Sequence, residues 1–374
     1  MNILQVTKGA LMGGGERHVL TVLEGFRDRD VNMSLAVFTE GRLSAAARSL
    51  GVEVQVIPKR YRGDFSPLLS LMRLIRERQI DIVHTHLLSG NFYGRVAGKI
   101  SGVKGIVSTL HHTEKGALGR SSIPYLPEIF FKLDIVMTAL CNYIISPSLD
   151  LKQQVIRQGV QENKIVHIPN AINFEHVHIN KEEMYICRRE LGLPPDAKLI
   201  GMVGRLVPVK NCPLFLRAAT RVLNEVANAH FIVVGDGPLR VELEETAEAL
   251  RLKGHITFTG FREDVMRVVS TFDIFVLCSD SETFPLALIE AMALKKPVVS
   301  TDVGGVSEII DHMRNGWLCP PGDEISLSDA IIHLVRHEEE ATEMSARAYE
   351  KVVNTFSLRK MTNSLHALYY GLVN

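Results

Sequence analysis

Few specialised features mark this sequence. It has one tryptophan, and only 6% of its residues are aromatic. Its five cysteines, Cys141, Cys187, Cys212, Cys278 and Cys319, stand far apart with no CxxC pair. That spacing argues against a disulfide framework or a cysteine zinc site and fits reduced, buried thiols in a cytosolic protein. Long apolar runs are missing too: the longest, Ile135 to Ile145, is interrupted by Thr138 and Asn142 and is too short to span a bilayer. The opening MNILQVTKG reads as a strand, because Lys8 and the glycine after it cut the apolar run short of a signal peptide. Net charge is absent as well. The 42 Lys and Arg balance 42 Asp and Glu, so the whole-chain charge gives no reason to expect a nucleic-acid partner.

What is present is ample core material. The 374 residues are 46% apolar and 22% charged, which suits two domains of middling size. The charge is unevenly divided. Residues 1–173 hold 21 Lys and Arg against 14 Asp and Glu, and the remainder holds 21 against 28. An excess of +7 in the first half suits an anionic face, such as a membrane surface or a phosphate-bearing acceptor, or simply a solvated one.

Short β-type runs alternate with helical patterns. Asn2–Thr7, Met33–Phe38, Glu53–Ile57, Ile80–His84, Gly105–Leu110, Tyr143–Ser146 and Lys164–Ile168 form one series of predicted buried strands. The pattern restarts with Lys198–Val203, His230–Val234, Ile256–Thr259, Ile274–Leu277, Pro297–Thr301 and Gly316–Cys319. Two βα series imply two doubly wound α/β domains. The polar stretch around Ile172–Lys181 is a natural linker, giving domains at 1–173 and 174–356. The tail from Ser357 to Asn374 has helical spacing and either caps the second domain or returns to the first.

Local chemistry is densest in residues 279–305, SDSETFPLALIEAMALKKPVVSTDVGG. A strand ends near Cys278, a loop carries Glu282, and Pro285 suits the first turn of a helix. The backbone N–H groups of Thr283, Phe284 and Leu286 would be donors for a phosphate at that helix start. Glu290 follows about one and a half turns into an otherwise apolar helix, where a carboxylate is costly unless paired. Ligand hydroxyls would pair it.

Glu282-x7-Glu290, with FPLALIEAMA and PVVSTDVGG after it, resembles the signature of retaining glycosyltransferases of the large group that includes sucrose synthases and bacterial mannosyltransferases. The resemblance continues through Gly13-Gly14-Gly15-Glu16, the run Asp81 to His86, Ile168-Pro169-Asn170, Gly204-Arg205-Leu206 with Lys210-Asn211, and Gly235-Asp236-Gly237-Pro238. It implies the α/β fold called GT-B, two doubly wound Rossmann-like domains facing across a cleft, with a C-terminal helix crossing back to the first. It also implies sugar transfer from a nucleotide-diphosphate sugar, with retention of configuration and with neither metal nor cofactor. By the same resemblance the first domain takes the acceptor (a sugar, glycan or lipid-linked molecule) and the second the donor.

On this reading Arg205 and Lys210 hold the diphosphate, Glu282 lies beside the transferred sugar, and Glu290 holds ribose hydroxyls. Gly14 and Gly15 shape the loop that approaches donor phosphate or acceptor. His111, in Thr109-Leu110-His111, resembles the histidine that reaches the transferred sugar, with His112 a weaker candidate. Gly235, Phe261 and Arg262 border the nucleobase pocket through their backbone, and Thr283, Phe284, Pro285 and Leu286 complete the donor site. His84 and His86 read mainly as structural, with His86 also a candidate for the border of the acceptor pocket. Two departures blur donor identity: Thr283 stands where the group often has glycine, and Asn170-Ala171-Ile172-Asn173 replaces its Asn-Gly-x-Asp.

Asp28-Arg29-Asp30 has a cation between its carboxylates and follows a helix, so it reads as a solvated turn rather than a metal site. A sugar-nucleotide epimerase or hydrolase would share the fold, as would a non-catalytic subunit of a membrane complex. A NAD-dependent oxidoreductase is disfavoured because His18 stands where a third glycine would be needed. Lys59 to Arg62 and the amphipathic Leu68–Arg78 suggest a peripheral contact with anionic lipid, and Lys115–Phe131 an acceptor loop. The expected location is cytoplasmic, with that contact at the inner face of the membrane.

Overall fold

A computed structural model describes residues 1–9, 12–61, 64–111, 126–177 and 179–374. His112 and the portion of the expected acceptor loop from Lys115 to Tyr125 lie outside these residues. The chain separates into two compact units, one formed by Met1–Ala171 with Leu358–Asn374, the other by Ile172–Ser357.

The first unit is built on seven strands: β1 Asn2–Thr7, β2 Asn32–Val37, β3 Glu53–Val56, β4 Ile82–His86, β5 Gly105–Thr109, β6 Tyr143–Ser146 and β7 Ile165–His167. They run parallel in the order β3-β2-β1-β4-β5-β6-β7. The second unit has β8 Lys198–Val203, β9 Ala229–Val234, β10 Ile256–Gly260, β11 Ile274–Leu277, β12 Val298–Thr301 and β13 Trp317–Cys319. These are also parallel, in the order β10-β9-β8-β11-β12-β13. Every residue of β4, β5, β9, β11 and β12 is buried, as parallel strands covered by helices on both faces require. The five thiols are buried and free.

In each sheet the chain reverses its direction of progress at one place, between β1 and β4 and between β8 and β11. The loops leaving those two strands turn to opposite sides and open a crevice at their carboxyl ends, the usual ligand position in such sheets.

β4 starts two residues later than the apolar run predicts. Ile80 instead closes the preceding helix, its N–H donating to the Ile75 carbonyl at 3.0 Å. The strand consequently reaches His86, so both His84 and His86 are strand residues. The final helix, Leu358–Val373, packs in the first unit: Met361, Leu365 and Tyr369 are buried, and Tyr369 lies 5.7 Å from Phe26 ring to ring. The first unit also buries Arg95 completely. Its guanidinium donates to the carboxylate of Asp134 at 2.9 Å and to Ser108 Oγ at 2.7 Å. Burial pushes the Asp134 carboxyl up, while Arg95 and Asn91 pull it down.

Candidate functional site

The crevice between β8 and β11 gathers the charged residues singled out in the sequence. After β8 the chain makes a short 3-10 turn, Pro208–Lys210. Asn211 then takes a left-handed conformation (φ 44°) and caps the helix Cys212–Glu225, its side chain accepting from Leu214 N–H. Asparagine tolerates that backbone better than most residues. The same Asn211 side chain donates to Asp280 at 2.7 Å, and Asp280 N–H donates to the Val209 carbonyl at 2.8 Å. The loops after β8 and β11 are thus fastened to each other by both backbone and side chain.

Across this junction Lys210 Nζ meets Glu282 Oε1 at 2.5 Å. Ser279 Oγ donates to the same oxygen at 2.6 Å, and Thr301 Oγ1, from the end of β12, donates to the Ser279 carbonyl at 2.6 Å. Glu282 is 9% exposed, so its charge is held by an ion pair and a hydroxyl rather than by bulk water. An ammonium has three donors, and one Glu282 oxygen takes only one of them. Arg205 is exposed and its guanidinium makes no ion pair or hydrogen bond among the described residues. Two cations therefore border one crevice with donors to spare.

The helix after Glu282 spans Leu286–Ala293, with Pro285 at its N-cap position, one residue earlier than the first-turn placement expected. Glu290 is accordingly just over one turn into it, not one and a half. It is 5% exposed and is the sole charged residue of that helix. Phe284 and Leu286 are buried, and the Phe284 ring packs on Phe356 at 5.1 Å. Their side chains serve the core, so any part of theirs in ligand binding falls to the backbone.

β9 and β10 supply the adjoining wall. Gly235 has φ 133°, and a Cβ there would lie 2.0 Å from the Gly204 carbonyl oxygen. At Gly237 it would lie 2.4 Å from the Leu206 oxygen. These glycines let the β9 loop press against the Arg205 loop, where Leu206 N–H donates to the Asp236 carbonyl at 3.0 Å. Phe261 is 42% exposed. Arg262 pairs with Asp264 at 2.6 Å, which fixes the loop and holds the Asp264 carboxyl below its usual range.

In the first unit the corresponding crevice gathers imidazoles. Gly13 caps the helix Gly14–Gly25, with its N–H donating to Glu16 Oε2 at 3.2 Å. Gly14 has open space around it, whereas a Cβ on Gly15 would lie 2.9 Å from Leu87 and 3.4 Å from His111. His111 Nε2 is 3.1 Å from His86 Nδ1, and His86 Nε2 is 2.7 Å from Gln5 Oε1. His84 links Tyr369 OH at 2.6 Å to Thr109 Oγ1 at 2.8 Å. Burial holds the His18 imidazolium at about 4 and lowers His84 and His86 well below the usual range.

Family comparisons agree with this layout. Residues 186–351 match the model described as glycosyl transferases group 1, and residues 12–176 match that of glycosyltransferase family 4. The chain belongs to the group 1 glycosyltransferases. An Escherichia coli relative, UDP-Gal:alpha-D-GlcNAc-diphosphoundecaprenol alpha-1,3-galactosyltransferase, is 29% identical over 83% of this glycosyltransferase and 80% of its own length. The N-acetyl-alpha-D-glucosaminyl L-malate synthase of Bacillus anthracis is 29% identical over 82% and 79%. Among solved structures, Anabaena HepE in complex with UDP-glucose superposes with a TM-score of 0.88 at 21% identity, covering 99% of this chain and 100% of that one. Sucrose-phosphate synthase from Thermosynechococcus elongatus superposes at 0.82 with 17% identity, covering 100% and 99%. The fold is GT-B, with two parallel-sheet Rossmann-like units.

The structure brings Arg205, Lys210, Glu282 and Glu290 to one end of the second sheet, with Gly235 beside them. Gly15 and His111 meet in the first unit of this glycosyltransferase, whereas Gly14 faces open space. Ser279, Thr301 and the Asn211–Asp280 pair were not singled out from sequence. Their signal is the loop-to-loop contact, which spacing along the chain does not carry. Gln5 and Tyr369 were missed for the same reason.

Proposed function

We propose that this glycosyltransferase takes its sugar from a UDP-sugar bound in the second unit and transfers it with retention to a glycan or lipid-linked acceptor. The Lys210–Glu282 pair, with Arg205 beside it at the β8/β11 crevice, carries the reading. Breaking the glycosidic bond leaves negative charge on the diphosphate. Arg205 and the remaining donors of Lys210 meet that charge as it develops, which lowers the barrier without a divalent ion at the phosphates. Glu282 holds Lys210 in place and lies beside the transferred sugar. Glu290 accepts from ribose hydroxyls, and His111 acts on the sugar or acceptor side. The UDP preference follows the E. coli relative, named for UDP-Gal, and the UDP-glucose complex of HepE.

A thermal-shift screen of UDP-, GDP- and ADP-sugars tests the donor; stabilisation by a GDP-sugar alone overturns the UDP assignment. Glu290→Gln should weaken donor binding most, while Glu282→Gln should slow transfer by about a hundredfold. Wild-type donor affinity and rate in both variants would sink the donor site. Activity that disappears with chelator and returns with magnesium would refute the metal-free phosphate site. The anomeric configuration of the product, read by NMR, decides retention.

A peripheral membrane contact is part of the same reading. Tyr61, Phe65 and Leu69 are 66%, 63% and 68% exposed. They flank Lys59, Arg60 and the exposed face of the helix Ser66–Glu77, a basic and apolar combination that suits anionic lipid and a lipid-linked acceptor. No helix among the described residues is long and apolar enough to cross a membrane. Flotation with phosphatidylglycerol vesicles, but not neutral ones, is expected, and equal behaviour with both removes the contact.

A further inference from the structure

Three imidazoles converge at the carboxyl ends of β1, β4 and β5. His18 comes from the helix Gly14–Gly25, His86 closes β4 and His111 follows β5. One nitrogen from each lies within 4.8 Å of the others. His86 Nδ1 and His111 Nε2 are already 3.1 Å apart, close to the edge of about 3.3 Å between two nitrogens bound tetrahedrally to one zinc ion.

The surroundings fit ligation. His86 Nε2 sits on the Gln5 carbonyl oxygen at 2.7 Å. That oxygen can only accept, so Nε2 carries the hydrogen and neutral His86 presents its Nδ1 lone pair towards His111. Metal-binding histidines are commonly oriented in this way, by a carbonyl or carboxylate on the far nitrogen. His18 is 2% exposed, and neither of its ring nitrogens makes a hydrogen bond of normal geometry. The Asn170 side chain is near enough to interact, but outside that geometry. A buried polar group left in this state needs an explanation, and an ion is one that would satisfy it.

We propose that His18, His86 and His111 form a binding site for a divalent transition cation of the zinc class, with its fourth position open. Three nitrogen ligands select zinc, cobalt or nickel over magnesium and calcium, which prefer oxygen. The His86–His111 edge is preset, and rotation of the His18 ring closes the triangle. A bound ion occupies the His111 nitrogen that now faces His86 and clamps that ring. Given the role of His111 proposed above, loading the site slows sugar transfer. The ion is therefore an inhibitor here and no partner of the donor diphosphate, whose cations belong to the other unit.

The test uses tag-free protein stripped with chelator and dialysed. Co²⁺ should give the intense visible bands of a tetrahedral nitrogen site, saturating at about one equivalent and displaced by Zn²⁺. His18→Gln should lose these bands, and Gln5→Met should weaken Zn²⁺ binding by about 10–100-fold. X-ray absorption of Zn²⁺-loaded wild-type protein should show three nitrogen ligands at about 2.0–2.1 Å, a readout that survives if a variant fails to fold. Only the weak spectrum of hydrated Co²⁺, or unchanged binding in folded His18→Gln, overturns the site. Donor binding is measured on the same metal-free protein. A donor shift without Co²⁺ bands refutes the cation site alone, and Co²⁺ bands without any donor shift or transfer refute the glycosyl-transfer reading alone.

Discussion

The two units share one architecture, and each fills the crevice at its own sheet's reversal point with different chemistry. At the β8/β11 reversal the second unit places Arg205, Lys210, Glu282 and Glu290, where Lys210 and Glu282 hold each other and the Ser279 hydroxyl joins them on the same Glu282 oxygen. At the β1/β4 reversal the first unit places His18, His86 and His111, and burial disposes His18 and His86 to be neutral. The fold supplies the position, and the side chains decide which kind of group each position can stabilise. A diphosphate needs fixed positive charge, whereas an acceptor hydroxyl can be met by an uncharged imidazole. The first unit's Arg95–Asp134 pair, with its guanidinium fully buried, lies elsewhere and ties helix Leu87–Ser101 to helix Leu126–Val136.

That contrast can be broken at several points. Replacing Lys210 by Met should produce the largest effect, a loss of about 10²–10³-fold in the rate of sugar transfer, followed by nucleotide release. A loss no greater than about twofold would show that the cations are not aimed at the departing phosphate. Next comes Arg95→Ala, which strands the Asp134 carboxylate and should cost about 3–5 kcal/mol in urea unfolding of the first unit. Donor affinity measured below that transition should stay unchanged, because the donor residues belong to the other unit. Gly235→Ala forces a Cβ against the Gly204 oxygen in a backbone that only glycine adopts easily, and should cost about 1–3 kcal/mol. It should also weaken donor binding; a donor titration that matches wild type would detach this loop from the pocket.

The smallest effect concerns Lys296, whose pKa burial lowers from 10.5 to about 8, with Asp273 offsetting part of the shift. Below pH 8 the lysine is protonated in folded and unfolded chains alike, and the folded state bears the whole penalty. As pH rises from 8 to 10.5 the folded state is neutral while the unfolded state still sheds its proton, so stability climbs and the penalty fades. Lys296→Met should therefore stabilise the second unit by about 1 kcal/mol at pH 7, with the gain shrinking towards pH 10.5. A gain independent of pH would assign it to packing instead.

Most strands were legible because buried parallel strands are short apolar runs bounded by turn residues, as Tyr143–Ser146 and Ile274–Leu277 illustrate. The β4 boundary was displaced because Ile80 is apolar for another reason, closing a helix. The acidic pair was legible because Glu290 interrupts an apolar helix and Glu282 precedes a proline-capped helix start. Its partner was not: Lys210 and Glu282 are 72 residues apart, and only the adjacency of β8 and β11 brings them together.

The sequence by itself determined the two βα series, their buried strands, the family signature and the residue types available for phosphate and hydroxyl groups. These follow from local apolar period and turn chemistry, which are written within a few residues of each other. Only the tertiary structure decided that Lys210 is held by Glu282, that the Arg205 guanidinium beside it makes no ion pair or hydrogen bond among the described residues, and that three histidines from separate elements face one another. Those relations depend on the order of strands in each sheet, and strand order is a long-range property that no single stretch of chain contains.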